Sequence, residues 1–365
     1  MNRKSRKLTG RQKLWISFGV IGLVTISVFL IYIFWFKPTI QKPLSDALTL
    51  PTQQADNTNI GQLPSDETEG SMLSNVSSVP IYTNPTTEPG KKPICGNESE
   101  WLVLLVGVDY MGDGYLYGLA DVIRVARIDF VNAKINLVAL PRDLIVDIPE
   151  NRLIVEGPIK INQAYLFGTA GMGHYVGSGL GAGSLAEVIQ YNFGVSVDHY
   201  GVINFNTFTN FVDVIGGIEV DLPYYVDDRP HSFFPAGKQT LSGTQALALA
   251  RIRQKYSDGF RINNQTLILK AIFNRLMQPE ILIKLPGLVD RFKDSVLTDL
   301  SIDQIGTAVC FIRKFGFENL NSFSVPEDFI IAERAYIPTL NNESFVYNWD
   351  ERLITWFHES LRGSD

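Results

Sequence analysis

Cysteine and histidine are scarce in this chain, and each shortage removes a class of chemistry. Two cysteines among 365 residues are too few for a thiolate zinc site. They leave open a single disulfide between Cys95 and Cys310. Four histidines (His174, His199, His231 and His358) fall at no metal-ligand spacing. No serine stands in a G-x-S-x-G elbow, and neither cysteine has an evident activating partner, so nucleophilic catalysis finds little support. The dinucleotide fingerprint and the Walker spacing are missing as well. Residues 171–183 (GMGHYVGSGLGAG) hold six glycines, but without those spacings they read as a mobile surface loop. No internal repeat is present. A basic excess is lacking too, with 32 Lys and Arg against 38 Asp and Glu.

The charge that is present is unevenly spread. Residues 1–13 carry six basic residues and no acid, so the remainder has 26 basic against 38 acidic residues. Such a body is not built for nucleic acid. Residues 14–36 follow with 23 positions free of charge. At about 1.5 Å per residue, a helix of that length crosses the hydrocarbon core. No small-x-small cleavage pattern follows, so the segment reads as an uncleaved anchor. Its basic head is expected in the cytoplasm and everything beyond it outside, which makes a single-pass cell-membrane protein. Residues 37–100 are rich in Pro, Thr, Ser, Asn and Asp and read as a flexible extracytoplasmic linker.

A folded domain is expected over residues 101–362. WLVLLVGVD is an apolar run that fits a buried strand ending at Asp109. VIRVARIDF and KINLVAL are β-branched runs joined by a short turn, a hairpin signal. Helices fit 184–193, 206–214, 242–250, 262–277, 302–315 and 349–361, and further strands fit 199–203 and 218–222. Strands and helices interleave, but the early hairpin breaks strict alternation. The pattern predicts an α/β fold, a three-layer α/β/α domain with a mixed central sheet, behind one transmembrane helix.

Charged groups of two kinds stand at strand and helix ends. Asp109 and Asp121 end one strand and begin the next, so neighbouring strands would bring both to one sheet edge. Hard oxygen ligands of that kind suit Mg2+ or Mn2+ shared with substrate phosphates; aspartates capping turns are the plainer alternative. Arg251 and Arg253 are two residues apart, about 200° on a helix, so they serve one site only if the chain turns extended there. Arg261 and Gln265 share a helix face. Planar guanidinium groups grip phosphate oxygens bidentately, whereas a solvated basic helix end is the plainer reading.

The chain resembles the LytR-CpsA-Psr family. The matching pieces occur in the family's order: LLVGVD (Leu104–Asp109), Asp121 of an Arg-Ser-Asp-like motif, LPRD (Leu140–Asp143), KIN (Lys160–Asn162), DHYGVINFNTF (Asp198–Phe208), VDVIGGIEVDLP (Val212–Pro223), ALALARIR (Ala246–Arg253) and Arg261-x-x-x-Gln265. The resemblance implies an α/β/α domain that holds a polyprenyl phosphate in an apolar tunnel. It implies transfer of a phosphoglycan from its polyprenyl-pyrophosphate carrier to a peptidoglycan hydroxyl. Asp109 and Asp121 would hold Mg2+ or Mn2+; Arg142, Arg251, Arg253, Arg261 and Gln265 would grip the pyrophosphate, with Lys160 near. Asp109, Asp121, Arg142 and Arg261 would carry catalysis, with the acceptor's base either Asp109 or Asp121. Phe205, Phe208, Phe211 and Leu247 are candidates for the tail's surroundings, or plain core. Hydrolysis of the carrier, or non-catalytic lipid-phosphate binding, would use the same clamp.

Two positions depart from the family pattern. Leu119-Ala120-Asp121 stands where the family has Arg-Ser-Asp, and Asn264 where it often has a second arginine. Arg124 is three residues past Asp121, which in a regular strand sets it on the opposite face and makes it a poor substitute.

Overall fold

The computed structural model describes residues 43–51, 79–85, 90–111, 117–149, 151–252 and 258–363. The basic head, the apolar span 14–36, much of the linker and Arg253 lie outside the described residues. Among those described, no helix is long and apolar enough to cross a membrane.

The first half of the domain runs β1 (Glu100–Val108), β2 (Ala120–Asp129), β3 (Lys134–Leu140), β4 (Ile145–Val146), β5 (Ile159–Lys160), α1 (Ile161–Gly168), α2 (Leu180–Phe193), β6 (His199–Asn204) and α3 (Phe205–Val214). Then come β7 (Ile218–Leu222), β8 (Val226–Asp228), β9 (Ser232–Phe234), β10 (Gly237–Leu241), α4 (Gly243–Arg251), α5 (Asp258–Leu276), α6 (Pro279–Leu282) and α7 (Leu285–Phe292). The chain closes with β11 (Leu297–Thr298), α8 (Ile302–Lys314), β12 (Leu320–Ser324), β13 (Ile330–Ile337), β14 (Asn342–Trp349) and α9 (Arg352–Arg362).

Six strands form the central sheet in the order β11-β6-β1-β2-β3-β12. β2 and β3 are the expected antiparallel hairpin, while β1 pairs parallel with β6 and β3 parallel with β12. The sheet is therefore mixed, as the early hairpin predicts.

Strand alternation divides β1 between two cores. Leu102, Leu104, Val106 and Val108 enter one core with residues of α1, α2 and α9. Trp101 and Val103 enter another with Phe311 and Phe315 around α8. Helices thus cover both faces of the sheet. The disulfide Cys95–Cys310, left open by the sequence, is formed and ties the approach to β1 to α8. A third core joins α3, α4 and α5 to the β7–β10 ribbon. Part of the stretch 37–100 lies against this body: Tyr82 is buried, and Tyr200 donates from its hydroxyl to the Asp46 carbonyl at 2.9 Å.

Local chemistry accounts for the helix starts. Ser242 caps α4, with Ser242 N–H donating to Gln245 Oε1 at 2.9 Å in a reciprocal capping box. Asn204 caps α3 by accepting from Thr207 N–H at 2.8 Å. One expectation needs correction. The glycine-rich stretch 171–183 is loop only to Gly179, and α2 starts at Leu180. Its glycines allow close packing on α1: a Cβ on Gly181 would stand 2.7 Å from the Tyr165 carbonyl oxygen.

Candidate functional site

β1 and β6 run parallel and end together at Val108 and Asn204, so the chain leaves both strands on the same side. Ligand sites form at such carboxyl ends. Here a cavity of about 700 Å³ opens between the sheet and helices α3, α4 and α5. Leu105, Gly107, Val122, Gly201 and Ile203 supply its sheet wall. Phe205, Phe208, Leu247, Ile268 and Leu269 make the helical side apolar. Polar groups enter the same wall: Asp109, Asp121, Asp228, Arg124, Arg142, Arg251, Arg261 and Gln265.

Most of the sequence-predicted site residues converge here. Asp109, Asp121, Arg142, Arg251, Arg261 and Gln265 all line the cavity. Arg261 and Gln265 sit one turn apart on α5, as their spacing predicts. Arg251 is the last residue of α4, with its guanidinium 4.7 Å above the Phe205 ring. The chain then turns extended at Ile252, the geometry that serving one site from Arg251 and Arg253 requires; Arg253 itself lies outside the described residues. Gln265 Nε2 donates to the Ala250 carbonyl at 3.3 Å, which holds α5 against the end of α4.

Others are placed differently. Lys160 does not line the cavity. Its Nζ bonds Asp143 Oδ1 at 3.0 Å, and Asp143 Oδ2 accepts from Arg142 Nε at 3.2 Å. Lys160 therefore steadies Arg142 through one carboxylate. Phe211 also stays out of the cavity and packs edge-on against Phe292 at 5.5 Å. Neither Leu119 nor Asn264, the two departures from the family pattern, is in the cavity wall. Asn264 is buried, with Nδ2 directed at the Leu249 carbonyl at 3.5 Å.

One expectation is overturned. Gly107 pairs with Val122 but Val108 pairs with Ala120, so Asp121 is an extra residue in β2. Such a bulge resets which face the following residues occupy. Ala120, Ile123 and Val125 enter the core beside α1 and α2, whereas Asp121, Val122 and Arg124 all line the cavity. Arg124 is thus on the same side as Asp121. Regular alternation does not reveal this, because β2 carries apolar residues on both faces and only its pairing with β1 defines the bulge. Asp228 and Asn204 also line the cavity; Asn204 lies in the DHYGVINFNTF piece without having been singled out, and no motif pointed to Asp228.

The two aspartates differ in their surroundings. Asp121 Oδ1 accepts from Arg142 Nη1 in a close ion pair. Partial burial pulls the pKa of Arg142 down, yet the charges of Asp121 and Asp143 outweigh this and raise it. Asp109 Oδ1 accepts from Leu119 N–H at 2.6 Å. Burial and the neighbouring Asp121 carboxylate raise the pKa of Asp109, against the opposing pull of the Leu119 N–H and Arg142. Two carboxylates in one partly desolvated wall favour a cation or a proton between them. Among the described residues no third carboxylate, histidine or cysteine joins them. That donor set fits a hard divalent cation that completes its shell with water or phosphate oxygens, and does not fit zinc.

Comparison with known proteins places the chain. The LytR_cpsA_psr family model matches residues 72–358. The chain is 26% identical over 230 residues to the polyisoprenyl-teichoic acid–peptidoglycan teichoic acid transferase TagV of Bacillus subtilis, covering 60% of this chain and 53% of that relative. It is 30% identical over 208 residues to a TagU transferase of the same description from Oceanobacillus iheyensis, covering 56% of this chain and 60% of the relative. These matches therefore span less than two thirds of either relative's length. The crystal structure of B. subtilis TagV is similar with a TM-score of 0.56 at 23% identity, covering 74% of this chain and all of that one. At that identity the likeness is one of fold.

Proposed function

Because the chain belongs to the LytR_cpsA_psr family, we propose that it is a membrane-anchored phosphotransferase that moves a phosphoglycan from a polyprenyl-pyrophosphate carrier to a cell-wall hydroxyl. One observation carries this reading: a single cavity joins three aspartates, Asp109 and Asp121 among them, and four arginines to an apolar lining from α3, α4 and α5. A ligand that is anionic at one end and hydrocarbon at the other matches that lining. Transferase relatives that act on teichoic acid and peptidoglycan support the choice of substrate.

In this reading the acceptor oxygen attacks the phosphorus next to the glycan. The bond from that phosphorus to the bridging oxygen breaks, and polyprenyl phosphate leaves. The hydroxyl proton passes to a carboxylate, Asp109 or Asp121. Arg142, Arg251 and Arg261 neutralise the charge that spreads over the phosphoryl oxygens, and being held in advance they need little reorganisation. Asp109 and Asp121 would hold Mg2+ or Mn2+, which when bound adds positive charge beside the same oxygens. Asp143 and Lys160 keep Arg142 in place. An anchor at 14–36 would confine the enzyme and its lipid carrier to one membrane, at raised effective concentration.

The test is transfer of labelled glycan from a polyprenyl-pyrophosphate donor to peptidoglycan in the presence of Mg2+, with wild type and Asp109→Asn. Wild type should transfer label and the variant should lose about a thousandfold in rate, in the range of other removed acid–base or metal-holding groups. Equal rates would remove Asp109 from the chemistry. Release of polyprenyl phosphate without any acceptor would favour hydrolysis instead. Tight carrier binding with no turnover would favour a non-catalytic binding protein.

A further inference from the structure

Arg124 is 1% exposed, the most deeply buried arginine among the described residues. Its Nη2 donates to the Ile262 carbonyl at 3.3 Å and to Thr266 Oγ1 at 3.1 Å, both on α5. Its Nε and Nη1 are buried with no hydrogen-bond partner among the described residues. Three other buried or half-buried arginines have carboxylate partners. Arg127 pairs with Glu100 and Asp129, Arg142 with Asp121 and Asp143, and Arg152 with Glu187. Arg124 gains no such carboxylate: burial alone pushes its pKa down, to about 10, so the guanidinium stays charged at neutral pH. A desolvated cation with two idle donors is costly to the fold. A residue that breaks the packing rule in a ligand cavity is the signature of a functional position.

Its placement says which function. Arg124 lines the cavity from the sheet, while Ile262 and Thr266, which anchor it, are the residues immediately after Arg261 and Gln265 on α5. The bulge at Asp121 turns it to this side. Arg124 therefore borders the space that the helix-borne arginines also line. We propose that Arg124 is a substrate-binding residue that grips an oxyanion of the ligand's phosphate group from the sheet wall, so that the cavity selects a phosphorylated prenyl ligand over a neutral prenyl alcohol. This rests on the reading of the cavity as a prenyl-pyrophosphate site. It also explains how the chain manages with leucine at position 119: the sheet supplies a cation from within the strand instead of from the preceding loop.

The test uses the full chain in detergent micelles, with geranylgeranyl pyrophosphate and geranylgeraniol as probes. Calorimetry gives affinities, and thermal melting gives the ligand-free stability. Wild type should bind the pyrophosphate much more tightly than the alcohol. Arg124→Met should weaken pyrophosphate binding about tenfold or more, as expected for a lost charge-assisted contact. It should leave alcohol binding equal or tighter, and the ligand-free melting temperature equal or higher. Should the methionine variant not fold, Arg124→Gln keeps a donor toward Ile262 and Thr266 and carries the same comparison. Unchanged pyrophosphate affinity in the variant overturns the assignment. So does an equal loss for both probes together with a lowered melting temperature, which would mean that Arg124 only packs. If wild type binds neither probe, the prenyl-pyrophosphate reading falls, and this inference with it.

Discussion

The two faces of the central sheet are built from the same strands and do opposite work. On one, Leu104, Val108, Ile123 and Val125 meet Ile161, Ala186, Ile189, Leu353 and Phe357, all at most 2% exposed. That side is closed, apolar and without charge at its centre. On the other, Leu105, Val122 and Arg124 border a cavity of about 700 Å³ lined by four arginines and three aspartates. The difference shows how a pleated strand serves two ends at once: alternate residues stabilise the fold while their neighbours are free to bind. The bulge in β2 is the device that crosses between them, since it moves Asp121 onto the binding face without disturbing Ala120 or Ile123 on the closed one.

Substitutions on the closed face should affect folding and leave the chemistry intact. Phe357 is fully buried and packs edge-on against Phe193 at 5.8 Å. Phe357→Ala should cost about 3–5 kcal/mol in urea unfolding. Its transfer rate per folded molecule should match wild type. A loss below about 1 kcal/mol would break the division between the faces. The reverse pattern is expected for Arg261→Ala on the open face. There the rate should fall roughly a hundredfold, the worth of one or two charge-assisted contacts made in the transition state. The unfolding midpoint should barely move, because a buried charge is removed along with its contacts. A variant that unfolds easily yet transfers normally would reassign Arg261 to the core.

Lys160 sharpens the comparison, since it lies behind the binding face and not on it. Lys160→Met removes the Nζ–Asp143 bond and leaves Arg142 paired with Asp121 and a less restrained Asp143. A rate loss of about tenfold is expected, smaller than for Arg261. Combined with Arg142→Ala, the lysine change should add almost nothing. Full additivity in that double-mutant cycle would mean that Lys160 touches substrate directly.

Much of this was legible in the chain, and the failures have physical causes. The apolar run at Leu102–Val108 and the hairpin of β2 and β3 are signals within a few residues, and the structure follows them. The order of motifs brought Asp109, Asp121, Arg142, Arg251, Arg261 and Gln265 to one cavity because they close strand and helix ends on one side of the sheet. Tertiary effects were harder to read. The start of α2 is glycine-rich because Gly181 must lie against α1, and local propensity reports only the glycines. The face of Arg124 depends on a bulge that only pairing with β1 defines. The exposed hairpin of β13 and β14 carries Ile331, Tyr336 and Phe345 outward, so it has no apolar alternation to announce it.

The smallest expected effect concerns a buried histidine on the closed face. His358, on α9, is buried beside Phe193 and Tyr82, and its Nε2 lies 2.7 Å from the Phe193 carbonyl oxygen. A carbonyl only accepts, so Nε2 carries the hydrogen. Burial lowers the His358 pKa; the Phe193 carbonyl opposes this, and the charge of Arg362 adds to the lowering. The folded state therefore disfavours the imidazolium relative to the unfolded chain, whose histidine titrates near the usual value of about 6.5. Unfolding takes up a proton between the depressed folded value and that unfolded one. Stability from neutral His358 is thus complete above about pH 6.5 and is lost as the pH falls toward the folded value, with a slope of at most about 1.4 kcal/mol per pH unit. Urea unfolding between about pH 5 and 8, run on wild type and on His358→Gln, isolates this proton because every other group is common to both. Wild type should lose more stability on acidification than the variant. Parallel profiles would mean that the closed face tolerates a charge after all, and that its contrast with the cavity is one of shape and not of polarity.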